Sequence, residues 1–273
     1  MHVGGIGDKG MQNGYLALAG HIQIGELEFQ DCVVTVSDKH SIVDEDGLIG
    51  ADVFGGYLID IDFPGMRFKL SPLPKRPEDA VAPKSLNSQG EEQAHAEQKE
   101  EDAIEQNLKE KEHPPAASKP ARRLPKNRYV APEMADWTKV FRLGHAMLVP
   151  TRVNDAKPSL FGLDTGAFNN ILSLRAGRQL GKVSKDWGIR VRGLNGEVKT
   201  VYSAKATLRF GHLQQPDLDI VTLDLTNISH HFGTEVSGFL GFGMLKLLDL
   251  KLDYRDGLVD FHYDPKRVPR FPR

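Results

Sequence analysis

The sequence predicts an all-β fold built from two related lobes, and three observations carry that expectation. The first is period-two alternation. His21-Ile22-Gln23-Ile24, Thr207-Leu208-Arg209-Phe210 and Leu250-Lys251-Leu252-Asp253 place apolar side chains on one face and polar ones on the other, as half-buried strands require. The second is the turn signals that close such runs, at Gly25, Gly211 and Asp256-Gly257. The third is an internal repeat. Gly47-Leu48-Ile49-Gly50-Ala51-Asp52-Val53-Phe54 lies over Gly238-Phe239-Leu240-Gly241-Phe242-Gly243-Met244-Leu245, an offset of 191 residues. Without a gap, Tyr57 to Phe63 then falls on Leu248 to Tyr254, and Met66 to Leu70 on Gly257 to Phe261. Upstream, Ile22 to Leu27 matches Leu208 to Leu213 at an offset of 186, and Val3 to Ile6 matches Val191 to Leu194 at an offset of 188.

Taken in order, residues 1–70 form the first lobe. Its opening run, Gly4-Gly5-Ile6-Gly7, reads as a glycine-rich hairpin able to bend over a bound peptide. Gly5 to Gly10 also satisfies G-x-G-x-x-G. No strand precedes that run, however, and no helical pattern follows in Gln12-Asn13-Gly14-Tyr15, so a dinucleotide site is not expected. Residues 71–134 are a linker. Pro72, Pro74, Pro77 and Pro83 lead into an acidic tract from Glu91 to Glu112, and Lys119, Arg122, Arg123, Lys126 and Arg128 follow among further prolines. Such a composition buries too little apolar surface to fold, and disorder is expected. The second lobe spans 135–264, with a tail at 265–273. Its one clear helix signal runs from Ser173 to Leu180, with Ser173 as N-cap and Gly181 as the stop. Asn195-Gly196 marks a tight hairpin turn.

Composition narrows the function classes. A net charge of −2 over 273 residues gives no reason to expect a nucleic-acid or anionic-membrane partner. A single cysteine, Cys32, forbids an intrachain disulfide and sits in an apolar strand as a packed thiol. No run approaches the roughly 18 apolar residues of a spanning helix, and the amino terminus lacks a basic segment followed by an apolar one. Localisation is therefore unread; an upstream signal, if one exists, would fit a secreted or periplasmic setting. His230-His231 would face opposite sides of an extended strand with no ligand-spaced His or Cys nearby, so neither a metal nor a cofactor is expected.

The residue built for chemistry is Asp164, in Phe161-Gly162-Leu163-Asp164-Thr165-Gly166-Ala167. An apolar strand delivers the carboxylate and Gly166 permits the turn after it. An Asp in such a turn can also cap its own backbone. Hydrolysis of an amide by carboxyls needs two of them sharing one proton. Asp52, Asp60, Asp62, Asp249 and Asp253 cluster near the apolar-apolar-Gly segments. Most read as solvent-facing strand residues, and the equivalence of Asp62 with Asp253 in the repeat points to a shared structural role.

With Asp164-Thr165-Gly166 followed by Phe239-Leu240-Gly241 in the same lobe, Leu48-Ile49-Gly50 in the other, and a flap-like Val3-Gly4-Gly5-Ile6-Gly7, the chain resembles the aspartic proteases of the pepsin-like and retropepsin-like group. The resemblance covers roughly 1 to 70 and 136 to 264. It implies two β-barrel lobes with a cleft between them, an extended polypeptide as substrate, and peptide-bond hydrolysis by a carboxylate dyad. It also implies Asp164 as one dyad member, Thr165 bonded across to the partner loop, and the apolar-apolar-Gly segments bracing the catalytic turn. The sequence holds no second Asp-Thr/Ser-Gly, and by the 188-residue offset the first lobe's counterpart of Asp164 would precede Met1. Three outcomes are open: a truncated first lobe, a second carboxylate recruited from another subunit in a dimer, or a noncatalytic peptide-binding protein.

Overall fold

The computed structural model describes residues 2–3, 12–37, 47–77, 128–144, 146–181, 183–185, 188–193 and 196–267. The expectations for Gly4, Gly5, Ile6 and Gly7, for linker residues 78–127 and for the turn residue Asn195 lie outside this set. The chain divides into two compact units, Met1–Leu73 with Pro132–Arg273, and Pro74–Ala131; all elements below belong to the first. It is mostly strand with few helices, the expected all-β class.

The first repeat copy contributes β1 (His2–Val3), β2 (Gln12–Ile24), β3 (Leu27–Ser37), β4 (Tyr57–Asp62) and β5 (Arg67–Pro72). The second begins with β6 (Thr138–Lys139), β7 (Phe141–Leu143), β8 (Ala146–Val153), β9 (Ser159–Asp164) and β10 (Ile171–Ser173). Helix α1 (Leu174–Gln179) follows, starting where Ser173 Oγ accepts the Ala176 N–H, as its sequence signal indicated. Next come β11 (Ser184–Lys185), β12 (Arg192–Gly193), β13 (Gly196–Glu197), and the long hairpin β14 (Tyr202–Phe210) and β15 (Leu213–Leu223). Helix α2 (Thr226–Phe232), β16 (Gly238–Gly241), the single-turn α3 (Phe242–Leu245), β17 (Leu248–Asp253) and β18 (Leu258–Tyr263) complete the fold. His230-His231 lie on α2, not on the extended strand that the sequence suggested.

Six strands close into a barrel in the order β14-β15-β10-β16-β9-β8, with β8 pairing back onto β14 through Phe210↔Thr151 and Leu208↔Val153. Strand alternation buries both faces of this wall. Phe161, Leu172, Leu208 and Leu240 point into one apolar cluster, and Leu148, Ile171, Val221 and Phe239 into another that α2 covers with Ile228 and Phe232.

The first cluster continues beyond the barrel into a second sheet, ordered β5-β4-β17-β18-β6. There Ile61↔Leu250 and Ile59↔Leu252 pair across the junction, and Ile59, Leu250, Val259 and Phe261 are essentially fully buried. The Phe210 and Phe261 rings meet edge-on at 5.1 Å and tie barrel to sheet, a contact worth about 0.5–1.5 kcal/mol beyond its buried area. Strands from the two repeat copies thus share one hydrophobic core.

The repeat is visible element by element. At the 191-residue offset, β4 and β5 overlay β17 and β18 end for end, and the 3₁₀ turn Ala51–Phe54 overlays α3. At the 186-residue offset, β2–β3 matches β14–β15, and even the left-handed residues coincide: Gly25 with Gly211 and Asp31 with Asp217. The β4–β17 register has two-fold symmetry, with Asp60 paired to its own repeat equivalent Lys251 and the flanking pairs exchanging across that point. A pseudo-two-fold axis therefore passes through the Asp60–Lys251 pair.

Candidate active site

Consecutive strands β9 and β10 are not neighbours in the barrel, because β16 lies between them, parallel to β9 and antiparallel to β10. The connecting residues 165–170 must therefore arch over the carboxyl end of β16. This topology places the Asp-Thr-Gly turn on top of the apolar-apolar-Gly strand, with Gly241 directly opposite Asp164, Leu240 opposite Leu163 and Phe239 opposite Gly162.

Hydrogen bonds hold the arch. Phe242 N–H donates to Ala167 O at 2.6 Å and Gly243 N–H to Phe168 O at 2.7 Å. Asn170 Oδ1 accepts the Gly241 N–H at 2.8 Å, and its amide donates to Gln215 Oε1 at 3.4 Å. A Cβ on Gly241 would collide with the carbonyl oxygens of Asn169 and Ala167, so residue 241 has to be glycine for the arch to close. The apolar-apolar-Gly pattern thus has a physical meaning: two fully packed side chains followed by a backbone contact too close for any side chain.

Asp164 itself is half-buried at the end of β9, and its Oδ1 accepts the Gly166 N–H at 2.9 Å. The carboxylate does cap its own turn, and that bond fixes the orientation of the group. Phe168, on the same arch, is 78% exposed. Sequence reasoning did not single out Asn170, Gln215 or Phe168. The clamp by Asn170 depends on β16 being inserted between two consecutive strands, which no local pattern announces. A hollow lined by Arg175, Asp224, His230 and Glu235 lies at the opposite end of β10 and does not include Asp164.

The second copy of the brace is in a different state. Phe239 and Leu240 are 8% and 0% exposed between β9 and β10, whereas their equivalents Leu48 and Ile49 are 68% and 61% exposed and belong to no strand. Leu18 is 68% exposed against 5% for its equivalent Ala204.

The acidic residues near the pseudo-two-fold axis have other duties. Asp62 and Asp253 are buried rather than solvent-facing, and each caps the hairpin turn after its strand. Asp62 Oδ1 accepts the Gly65 N–H and Asp253 Oδ1 the Asp256 N–H, both at 2.9 Å. Their shared role in the repeat is therefore structural, as the sequence implied. Burial alone would raise the Asp62 carboxyl, but hydrogen bonds from Arg267, Arg67 and the Gly65 amide outweigh it and hold the group down at about 2. Asp249 is pushed up from the ordinary range by burial and by the neighbouring Asp60 carboxylate. These groups occupy the polar face of the β4–β17 junction, not the arch that carries Asp164. Among the described residues no group of three or more His, Cys, Asp or Glu is arranged to hold a metal ion, and no helix is long and apolar enough to cross a membrane.

A closed six-stranded barrel with an Asp-Thr-Gly arch lying on an apolar-apolar-Gly strand defines an aspartic-protease type of lobe. Residues 149–243, from β8 to the start of α3, match the family model described as aspartyl protease. No curated protein matches the chain.

Proposed function

We propose that the chain is an aspartic endopeptidase in which Asp164 supplies one carboxyl of the catalytic dyad, with Thr165 and Gly166 shaping its turn. The observation that carries this reading is the rigid presentation of Asp164 opposite Gly241, clamped by the Asn170, Phe242 and Gly243 contacts, within the stretch that matches the family. Leu48, Ile49 and Gly50 are the first copy's brace for a partner turn, and Phe239, Leu240 and Gly241 brace the turn that is present.

The chemistry follows from two carboxyls and one shared proton. The ionised carboxyl takes a proton from water as the oxygen attacks the scissile carbonyl carbon, and the protonated carboxyl donates to the carbonyl oxygen. Collapse of the tetrahedral diol breaks the C–N bond and returns a proton to the leaving amine. The substrate is an extended polypeptide, paired by its backbone with the flap around Gly4, Gly5, Ile6 and Gly7, while Phe168 offers an apolar surface to one of its side chains. An acidic to mildly acidic optimum is expected of such chemistry.

The test is Asp164→Asn in the protein from its native source. The expected outcome is a fall in kcat/KM of about 10²–10⁴-fold or more on a peptide substrate. Unchanged cleavage overturns the reading.

A second reading is a noncatalytic peptide-binding protein. It draws on one observation, the presence of a single Asp-Thr-Gly in the sequence. A homodimer that pairs two copies of Asp164 across a two-fold axis is disfavoured, because β4 already occupies the edge of β17 that a second copy would need.

A further inference from the structure

At the β4–β17 seam the two repeat copies differ in a way that packing does not require. The register is two-fold about Asp60–Lys251. Asp249 on β17 stands opposite Asp62, and its repeat equivalent Leu58 on β4 stands opposite Asp253, the equivalent of Asp62. One sheet position therefore holds an apolar side chain in the first copy and a carboxyl in the second. Leu58 has Lys251 as its diagonal neighbour, whereas Asp249 has Asp60, and these two carboxyls are within hydrogen-bond reach of each other.

The surrounding groups decide which carboxyl holds a proton. Asp60 stands between Lys69 on β5 and Lys251 on β17, and both favour its ionised form. Asp249 stands between Asp62 and the exposed His262 of β18. Arg67 and Arg267 are committed to Asp62, at 2.8 and 2.6 Å. Lys251, which also faces Asp260 on β18, favours ionised Asp249 less strongly than burial and Asp60 oppose it. His262 favours it too when itself protonated, an effect that solvent and salt weaken at an exposed site. Asp249 Oδ1, however, is buried and meets no hydrogen-bond donor among the described residues. Burying a charged oxygen without a donor is costly, and a proton on the group removes that charge.

We propose that Asp249 and Asp60 form a proton-operated clasp between the two repeat copies: one proton shared by the pair closes the seam, and its loss sets two carboxylates against each other across β4 and β17. The proton comes from solvent on acidification and returns to it on neutralisation. Burial, then the Asp60 charge, push the Asp249 carboxyl up from the ordinary range, so the clasp is closed in acid and released as pH rises through the folded value. Asp62, held at about 2, contributes fully above its ordinary 3.8 and is lost below it. The seam is therefore most cohesive in the mildly acidic window between the two. This inference does not rest on the role proposed for Asp164.

Two measurements on the whole chain test it. Carboxyl-carbon NMR of aspartate-labelled protein follows the pair directly: the Asp249 signal is expected to titrate above the ordinary carboxylate range and to move down in Asp60→Asn. Hydrogen–deuterium exchange of the β4 and β17 amides, corrected for the intrinsic pH dependence of exchange, reads the seam. Between about pH 8 and about pH 5 opening is expected to become rarer, by about tenfold for each pH unit by which the Asp249 carboxyl is raised. Asp249→Leu, which installs the side chain of the repeat equivalent, is expected to abolish that dependence and to keep the seam closed at the alkaline end. An Asp249 signal in the ordinary range, one that ignores Asp60→Asn, or a pH dependence of exchange that survives Asp249→Leu overturns the clasp. Asp164→Asn is expected to leave both readouts unchanged, and its effect on cleavage bears on the protease reading alone, so the two ideas fail separately.

Discussion

At the scale of single residues, the two repeat copies form an internal control, because equivalent positions with different side chains reveal what each position demands. Met66 adopts φ +50°, and its equivalent Gly257 adopts φ +62°. A left-handed residue with a Cβ is strained by about 1–2 kcal/mol, less for single turn positions. Met66 is 92% exposed and packs on nothing of note, so Met66→Gly is expected to raise stability by about 0.5–1 kcal/mol despite the added freedom of the unfolded chain. Chemical denaturation with an unchanged m-value would register it. Gly241 presents the opposite case. Gly241→Ala forces a methyl into the Asn169 carbonyl, and a loss of about 1–3 kcal/mol is expected together with loss of cleavage, because the arch that carries Asp164 has to lift. Wild-type stability in that variant would show that the arch does not depend on the close contact.

At the scale of elements, the sequence was most readable where the signal is local. Helix α1 follows from Ser173 and Gly181, and the ends of β4, β5, β17 and β18 follow from a repeat that runs without a gap. Three things were not readable, for physical reasons. The insertion of β16 between β9 and β10 is a long-range pairing that leaves no periodic trace in either strand, so the clamp by Asn170 was invisible. The burial of Asp62 and Asp253 ran against the usual exposure of carboxylates, because a turn-capping Asp is judged by its partners and not by its polarity. His230-His231 was read as strand because α2 is short, without a side-chain cap, and ends on a left-handed Gly233. The turn caps carry a pH consequence. Asp62 is held at about 2 in the folded protein against 3.8 when unperturbed, so its contribution is present above the unperturbed value and is lost as pH falls from about 4 to about 2. Asp249 acts in the opposite sense: its raised carboxyl favours folding most in acid, and that contribution is lost as pH rises through its folded value. Asp62→Asn is expected to lower stability at neutral pH by about 1–3 kcal/mol and to flatten the loss below pH 4; an unaltered acid limb in thermal melts would contradict this.

At the scale of the whole molecule, one barrel, one shared sheet and one exposed brace describe a two-fold design with one half filled in. The half that is filled explains how Asp164 is held, and the half that is open leaves Leu48 and Ile49 exposed. The β4–β17 junction has a further consequence. It joins strands nearly two hundred positions apart, and the chain running between them returns to the same sheet twice, as β5 and β6. Covalent continuity there acts mainly as a local-concentration device, and the entropy of closing such a loop grows only slowly with its length. The protein should therefore be separable into two polypeptides, 1–77 and 128–273, that find each other in solution. When the two are mixed, far-ultraviolet circular dichroism should show a melting temperature that climbs with concentration, as for any heterodimer, while the intact chain melts at one temperature whatever its dilution.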